Sequence, residues 1–188
     1  LNLVASTISA DTTGGNVDLA NASAATFTSL TTGTGSITVV NTGSATFTTA
    51  TTTSGQIDLT VDSGNLTVGT SVTAGGAGKN VTLTTTTSGN VILAGTTTAT
   101  GDTIAVTSVG NINGAGQVTA ATIDLNANTG IGNTTALSLA GVSISADSAN
   151  GNIHLDNSNA SNVTFTSLTT SSGAITVDQS GGGNVTFV

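Results

Sequence analysis

Any chemistry in this chain would have to come from very few side chains. Nine aspartates supply all the acidity, Lys79 is the single base, His154 is the single histidine, and Cys, Met, Trp and Tyr are absent. Asp18 and Asp58 form the pair best suited to acid–base work. Each lies at the centre of an aliphatic triplet, Val17-Asp18-Leu19 and Ile57-Asp58-Leu59, with Ile37-Thr38-Val39 between them. If these triplets stack, two carboxylates two layers apart stand about 9–10 Å from each other. That is near the upper end of the carboxylate spacing of inverting glycosidases. No base accompanies the pair to bind uronates, and no Tyr or Trp offers a sugar platform. Solvated Asp on a strand face is therefore the reading favoured, and no residue is assigned a catalytic role. The chain is read as a non-enzyme.

His154, at the centre of Ile153-His154-Leu155, corresponds in the repeat to Asp18. A lone His without Cys makes a poor metal site, so it is placed on a surface face. Gly75-Gly76-Ala77-Gly78-Lys79-Asn80 resembles the calcium-binding nonapeptide, but Asn80 stands where Asp is needed and the motif occurs once. Calcium there requires hard oxygen ligands from stacked copies. The stretch is no P-loop either, since Asn80 follows Gly78-Lys79 and Thr73 holds the first Gly position. A glycine-rich corner is expected, with no metal and no cofactor.

The most distinctive surface signal is Thr-x-Thr. Thr26/Thr28, Thr46/Thr48, Thr82/Thr84 and Thr164/Thr166 each flank an inward Phe or Leu. Stacked by coil they would form a flat Thr array, the pattern of ice-binding β-solenoids, and a glycan-binding face is the related alternative. Against this, Thr is simply a preferred outward residue on a neutral β surface, and the array is interrupted mid-chain. Sequons at Asn21, Asn65, Asn80, Asn133, Asn159, Asn162 and Asn184 could accept glycans, though so many are expected by chance in an Asn- and Thr-rich chain. The net charge of −8 with one base argues against nucleic acid and against anionic lipid surfaces. No apolar run approaches the roughly 18 residues of a membrane span.

These side chains are carried by short elements of period two. The aliphatic triplets above continue through Leu66-Thr67-Val68, Val81-Thr82-Leu83, Val91-Ile92-Leu93, Ile104-Ala105-Val106, Ile123-Asp124-Leu125, Leu137-Ser138-Leu139, Val163-Thr164-Phe165, Ile175-Thr176-Val177 and Val185-Thr186-Phe187. Alternation of this kind reads as half-buried strands, suited by β-branched residues. No stretch has helical periodicity. Gly-Asn precedes many strands, at Gly15, Gly64, Gly89, Gly151 and Gly183; both residues tolerate positive φ, which would let the chain turn a sharp corner. The phrase A-T-F-T-S-L-T-T-G-T-G-S-I-T-V at 25–39 recurs at 45–59, in compressed form at 80–93, and at 163–177, where 11 of 15 positions agree. Whole-phrase recurrence near 20 residues signals a coil stacking on its predecessor rather than a hairpin meander. A hydrophobic fraction of 36% with 2% aromatics suits a thin core repeated along an axis.

A longer period lies above the coil. Ile8-Ser9-Ala10-Asp11 returns as Ile144-Ser145-Ala146-Asp147, an offset of 144 − 8 = 136, and Ala25 matches Val163 at 138. At about 20 residues per coil this predicts about seven coils per large repeat of about 137 residues, and at roughly 4.8 Å per coil the nine or so coils of the whole chain make a rod of about 45 Å. Residues 1–188 read as one domain, and as a segment of a longer repetitive chain. Coil boundaries in 70–132 are not fixed by the pattern.

The elements G-N-V-D-L, G-S-I-T-V, G-Q-I-D-L, G-N-I-H-L and G-A-I-T-V, each opening a coil, make the chain similar to the β-helical shaft of bacterial filamentous-haemagglutinin-type exoproteins and adhesins. The resemblance covers essentially all of the chain. It implies a right-handed parallel β-helix on the bacterial cell surface or secreted outside it, serving as an adhesin stalk or self-assembling filament. Its partners would be neighbouring repeats, other copies end to end, or host glycans. The family's secretion and receptor-binding regions have no match in these residues.

Overall fold

The computed structural model describes residues 1–188. It is all-β, with nineteen strands joined in one sheet. Every strand pairing is parallel, and successive coils lie about 21 residues apart over about nine turns. The chain is a β-solenoid.

Two ladders run its length. The first climbs from Asn2–Leu3 through Val17–Asn21, Ile37–Asn41, Ile57–Ser63 and Val81–Ser88. It continues through the latter halves of Thr96–Ser108, Gln117–Ala127 and Leu137–Ser148 to Val163–Thr170 and Val185–Phe187. The second begins at Thr7–Thr12 and climbs through Ala25–Thr32, Ala45–Thr52 and Leu66–Ala74. Above that each rung is split: Val91–Leu93 with the start of Thr96–Ser108, then Asn111–Asn113 with the start of Gln117–Ala127, then Gly130–Ile131 with the start of Leu137–Ser148. Ile153–Asn157 and Ile175–Gln179 complete it.

Alternation sets the core. Phe27, Leu30, Ile37 and Val39 have no exposed surface, and 40 apolar residues from both ladders form one continuous cluster. Phe27 stacks on Phe47 with centroids 4.7 Å apart, and Phe165 on Phe187 at 5.2 Å. Identical residues stack because parallel rungs place equivalent positions about 4.8 Å apart.

The aliphatic triplet understates the strand. In the first ladder alternation carries on to a third inward residue, the buried Asn21 and Asn41. The Asn21 amide donates to Asn41 Oδ1 at 2.8 Å and to the Ser23 carbonyl at 2.7 Å. Asn157 repeats the arrangement, donating to Gln179 Oε1 at 2.7 Å. A buried amide is tolerated here because its partners are built into neighbouring coils. The sequon at Asn21 is thus inside the solenoid, with 2% of its surface exposed, and is removed as a glycan acceptor.

The corners work differently from expectation. Positive φ occurs only at glycines, including Gly64, Gly89 and Gly151, and at no asparagine. The Asn of Gly-Asn instead reaches along the axis: Asn65 Oδ1 accepts the Asn90 amide N–H at 2.9 Å, and Asn90 Oδ1 that of Asn111 at 2.8 Å. Asn16, Asn133 and Asn152 do the same for Ser36, Asn152 and Ala174. Each satisfies a backbone donor that the turn would leave unpaired.

The large repeat spans six and a half coils, not seven. Ile8 is on the first rung of the second ladder, six rungs below Ile131, and Ile144 lies half a coil further on, in the first ladder. The uniform coil of about 20 residues fails in the middle, where Leu66 pairs Val91 and Ile57 pairs Val81, offsets of 91 − 66 = 25 and 81 − 57 = 24. Longer coils there absorb the residues that a constant period turns into extra coil. The phrase has therefore changed ladders: G-N-V-D-L lies in the first, G-N-I-H-L in the second. The stretch at 80–93 likewise begins in the first ladder and ends in the second, so it is no copy of 25–39 in space.

One inward polar atom has no partner. Thr97 Oγ1 is buried between Val72 and Val118 in a column of aliphatic side chains. An unsatisfied hydroxyl costs about 1–3 kcal/mol, and Val has the same shape. Thr97→Val is expected to raise stability by about 1 kcal/mol, seen as a higher denaturant midpoint at unchanged slope; a lower midpoint would contradict the assignment.

Candidate functional site

The two aspartates considered for acid–base work sit as the stacking implied. Asp18, Thr38 and Asp58 occupy successive rungs of one outward column, which continues through Thr82, Ala105, Asp124 and Ser145. The column is an exposed edge-on row, with Asp18, Thr38 and Asp58 open to solvent. His154 is not in it. His154 lies in the second ladder over Thr176, and its Nε2 is 3.8 Å from Asp178 Oδ2, both side chains partly exposed. The phrase shift by half a coil moved it there.

At the glycine-rich corner, Asp102 of the coil above accepts from the backbone amides of Gly78 (2.7 Å) and Lys79 (3.0 Å). Asn80 Oδ1 accepts from Thr103 N–H at 3.1 Å. Both oxygen-bearing side chains are thus used to tie two coils together.

The threonines divide into two sets. Thr26 stacks on Thr46, and their column extends to Thr7 below and Thr67 above before Ile92 ends it. Thr28 is a bulge residue: Ile8 pairs Phe27 and Ser9 pairs Ser29, leaving Thr28 unmatched, and its hydroxyl donates to the Ile8 carbonyl at 3.2 Å. Thr48 sits at a similar register shift. Thr82 and Thr84 lie in the first ladder over Asp58 and Thr60. Thr164 and Thr166 are also in the first ladder; Thr166 repeats the bulge of Thr28, donating to Ile144 O at 3.2 Å. The eight residues therefore do not make one array.

A regular hydroxyl lattice does exist, three residues further along the phrase. One outward column reads Thr31, Thr51, Thr73, Thr98, Thr119, with Asp11 below and Ala140 above. The parallel column two residues earlier reads Ser29, Thr49, Ser71, Thr96, and then Gln117. Between them Leu30, Ala50, Val72, Thr97 and Val118 point inward with no exposed surface. The sequence signal for this lattice is the S/T-x-T that follows the bulge, which is recognisable once the bulge residue is removed from the count.

Apart from Asp11 at its base, the lower and middle part of the second ladder is uncharged, whereas the first is not. Asp18, Asp58, Asp62, Asp124 and Asp147 lie in the first. From Ala25 to Gly141 the strands of the second ladder carry no charged residue. Asp156, Asp178 and His154 enter it only with the shifted phrase. In the first ladder several hydroxyls are taken up by carboxylates. Thr86 and Thr87 both donate to Asp62 at 2.7 Å, Ser145 to Asp124 at 2.7 Å, and Ser167 and Thr169 to Asp147.

The hydrogen bonds from Thr86, and next from Thr87, hold the Asp62 carboxyl below the usual aspartate value. A depressed pKa stabilises the fold above the ordinary aspartate range, and that contribution is lost as pH falls through the lowered value. The Asp62 carboxyl resonance should therefore titrate below those of isolated aspartates by NMR, and Thr86→Val with Thr87→Val should bring it back up. A midpoint unmoved by the double substitution would show that these bonds do not form.

Comparison with known families, curated proteins and solved structures gives no match to this chain.

Proposed function

We propose that the chain is a non-catalytic shaft: a rigid extracellular segment of a bacterial surface protein, as an adhesin stalk or a self-assembling filament, that positions a binding region elsewhere. The observation that carries this reading is the unbroken pair of parallel ladders, in which each coil is bonded to the coils before and after it. Such a solenoid is quasi-one-dimensional, and its length is set by the number of coils. About nine coils extend roughly 43 Å, with one continuous core and side-chain ties at successive corners. The resemblance of its coil-opening motifs to haemagglutinin-type shafts supports the bacterial-surface setting.

The test is mechanical and morphological. Small-angle scattering should give the cross-section and length of a rod. Electron microscopy should show either isolated rods or end-to-end fibres, the latter favouring the filament form. A compact particle of low anisotropy would sink the shaft reading. Hydrolysis of a polysaccharide that disappears with Asp18→Asn or Asp58→Asn would replace it with a carbohydrate-active one.

A further inference from the structure

We infer that the second ladder carries a binding face for crystalline water, made by the two columns Ser29-Thr49-Ser71-Thr96 and Thr31-Thr51-Thr73-Thr98-Thr119. This goes beyond the shaft reading and does not depend on it.

Three features point to an ordered, uncharged, two-dimensional ligand. The first is the lattice. Rungs repeat about every 4.8 Å and alternate residues of a strand about every 6.7 Å. These two periods are close to the oxygen repeats on a prism face of ordinary ice. The register is continuous: Thr31 pairs Thr51, Thr51 pairs Thr73, Thr73 pairs Thr98, and Thr98 pairs Thr119. Parallel stacking opposes the twist that a free sheet adopts.

The second is the chemistry of each lattice point. Threonine presents one hydroxyl and one methyl, and branching at Cβ fixes its rotamer against the pleat. Of the Thr column, Thr31 donates to Asp11 at 2.5 Å. The hydroxyls of Thr51, Thr73, Thr98 and Thr119 make no hydrogen bond within the protein, and stay free to bond water. Methyl groups between them favour a water layer bonded within itself rather than one oriented by the protein alone.

The third is what has been kept off the face. No charged side chain stands in the second ladder from Ala25 to Gly141. A charge would hold its own hydration shell, unlike that of a lattice. The first ladder also has threonines, but carboxylates stand among them, and Thr86, Thr87 and Thr169 donate to Asp62 and Asp147. Flat sugars are the competing occupant. Their usual platform is an aromatic face, and the four Phe are the only aromatic residues, three of them buried in the core.

The experiment compares the chain as it stands with Thr73→Lys combined with Thr98→Lys, on the face, and with Thr82→Lys, on the first ladder. Each is first checked for unchanged β signal in circular dichroism. Thermal hysteresis, inhibition of ice recrystallisation and partition into a growing ice front are then measured. The parent chain and Thr82→Lys should be active and should partition into ice; the double variant should fall to the level of buffer. Failure of the parent chain to enter ice at millimolar concentration overturns the inference. So does equal loss in Thr82→Lys, which would place the activity elsewhere. Retention on crystalline cellulose or chitin without partition into ice would assign the face to polysaccharide instead, and also overturns it.

Discussion

Phe47→Ala is expected to lower stability by about 3–5 kcal/mol, the range for emptying a buried aromatic site. Phe47 has no exposed surface and lies against Phe27 at 4.7 Å, with Val68 as its partner in the next rung. Collapse around the missing ring is limited, because rung spacing is set by backbone hydrogen bonds rather than by side chains. In a stack where each coil contacts only its neighbours, stability is a sum of coil and interface contributions. Loss of one interface should thus do more than shift a midpoint. It should separate unfolding of the coils below Phe47 from that of the coils above, seen as a second phase in denaturant melts and as faster amide exchange in 1–50 than in 100–150. A single transition with a small shift would mean that the cavity is closed by movement of the rungs.

Gly55→Val should be similarly damaging for a different reason. A Cβ at Gly55 would stand 1.8 Å from the carbonyl oxygen of Gly35, which itself lies over Gly15. Gly55 has no positive φ, so the need for glycine is one of space between stacked corners, not of dihedral freedom. The obstructing atom is backbone, and it cannot move without opening the ladder. A cost of about 3 kcal/mol or more is expected, at the upper end of overpacking. Gly182 supplies the control: its added Cβ meets nothing within 4 Å, and its φ is not in the left-handed region. Gly182→Ala should leave the thermal midpoint unchanged while Gly55→Val lowers it by many degrees. Equal effects would sink the steric account.

The solenoid was legible because period-two triplets and phrase recurrence are both set by nearest-neighbour stacking. Phe27 over Phe47 and Ile37 over Ile57 follow directly from an offset of 20. What escaped was anything that depends on the running sum of coil lengths. The coils carrying Lys79 and Gly95 are longer than the rest, and each shifts the phase of everything beyond. His154 was thereby matched to Asp18, and Thr82 to Thr26, although each pair lies on different ladders. The Thr lattice was missed by a smaller slip of the same kind. The bulge at Thr28 restarts the alternation, so that beyond this exposed residue Ser29 and Thr31 face outward on either side of the inward Leu30. Asn21 and Asn41 were overlooked because a polar residue next to a turn reads as exposed, and only their paired burial reveals an inner amide ladder.

The half-coil remainder in the large repeat acts as a geometric parity. Asp11 caps Thr31 in the second ladder, and its repeat partner Asp147 caps Ser167 and Thr169 in the first. Successive large repeats therefore start the same surface on alternate sides of the shaft, as a screw axis does in a crystal. Gaining or losing one large repeat would swing every later feature to the other flank, and only an even number of such events would restore it. Such a sequence can duplicate freely along its length, yet the side on which it is read depends on whether the copy number is odd or even.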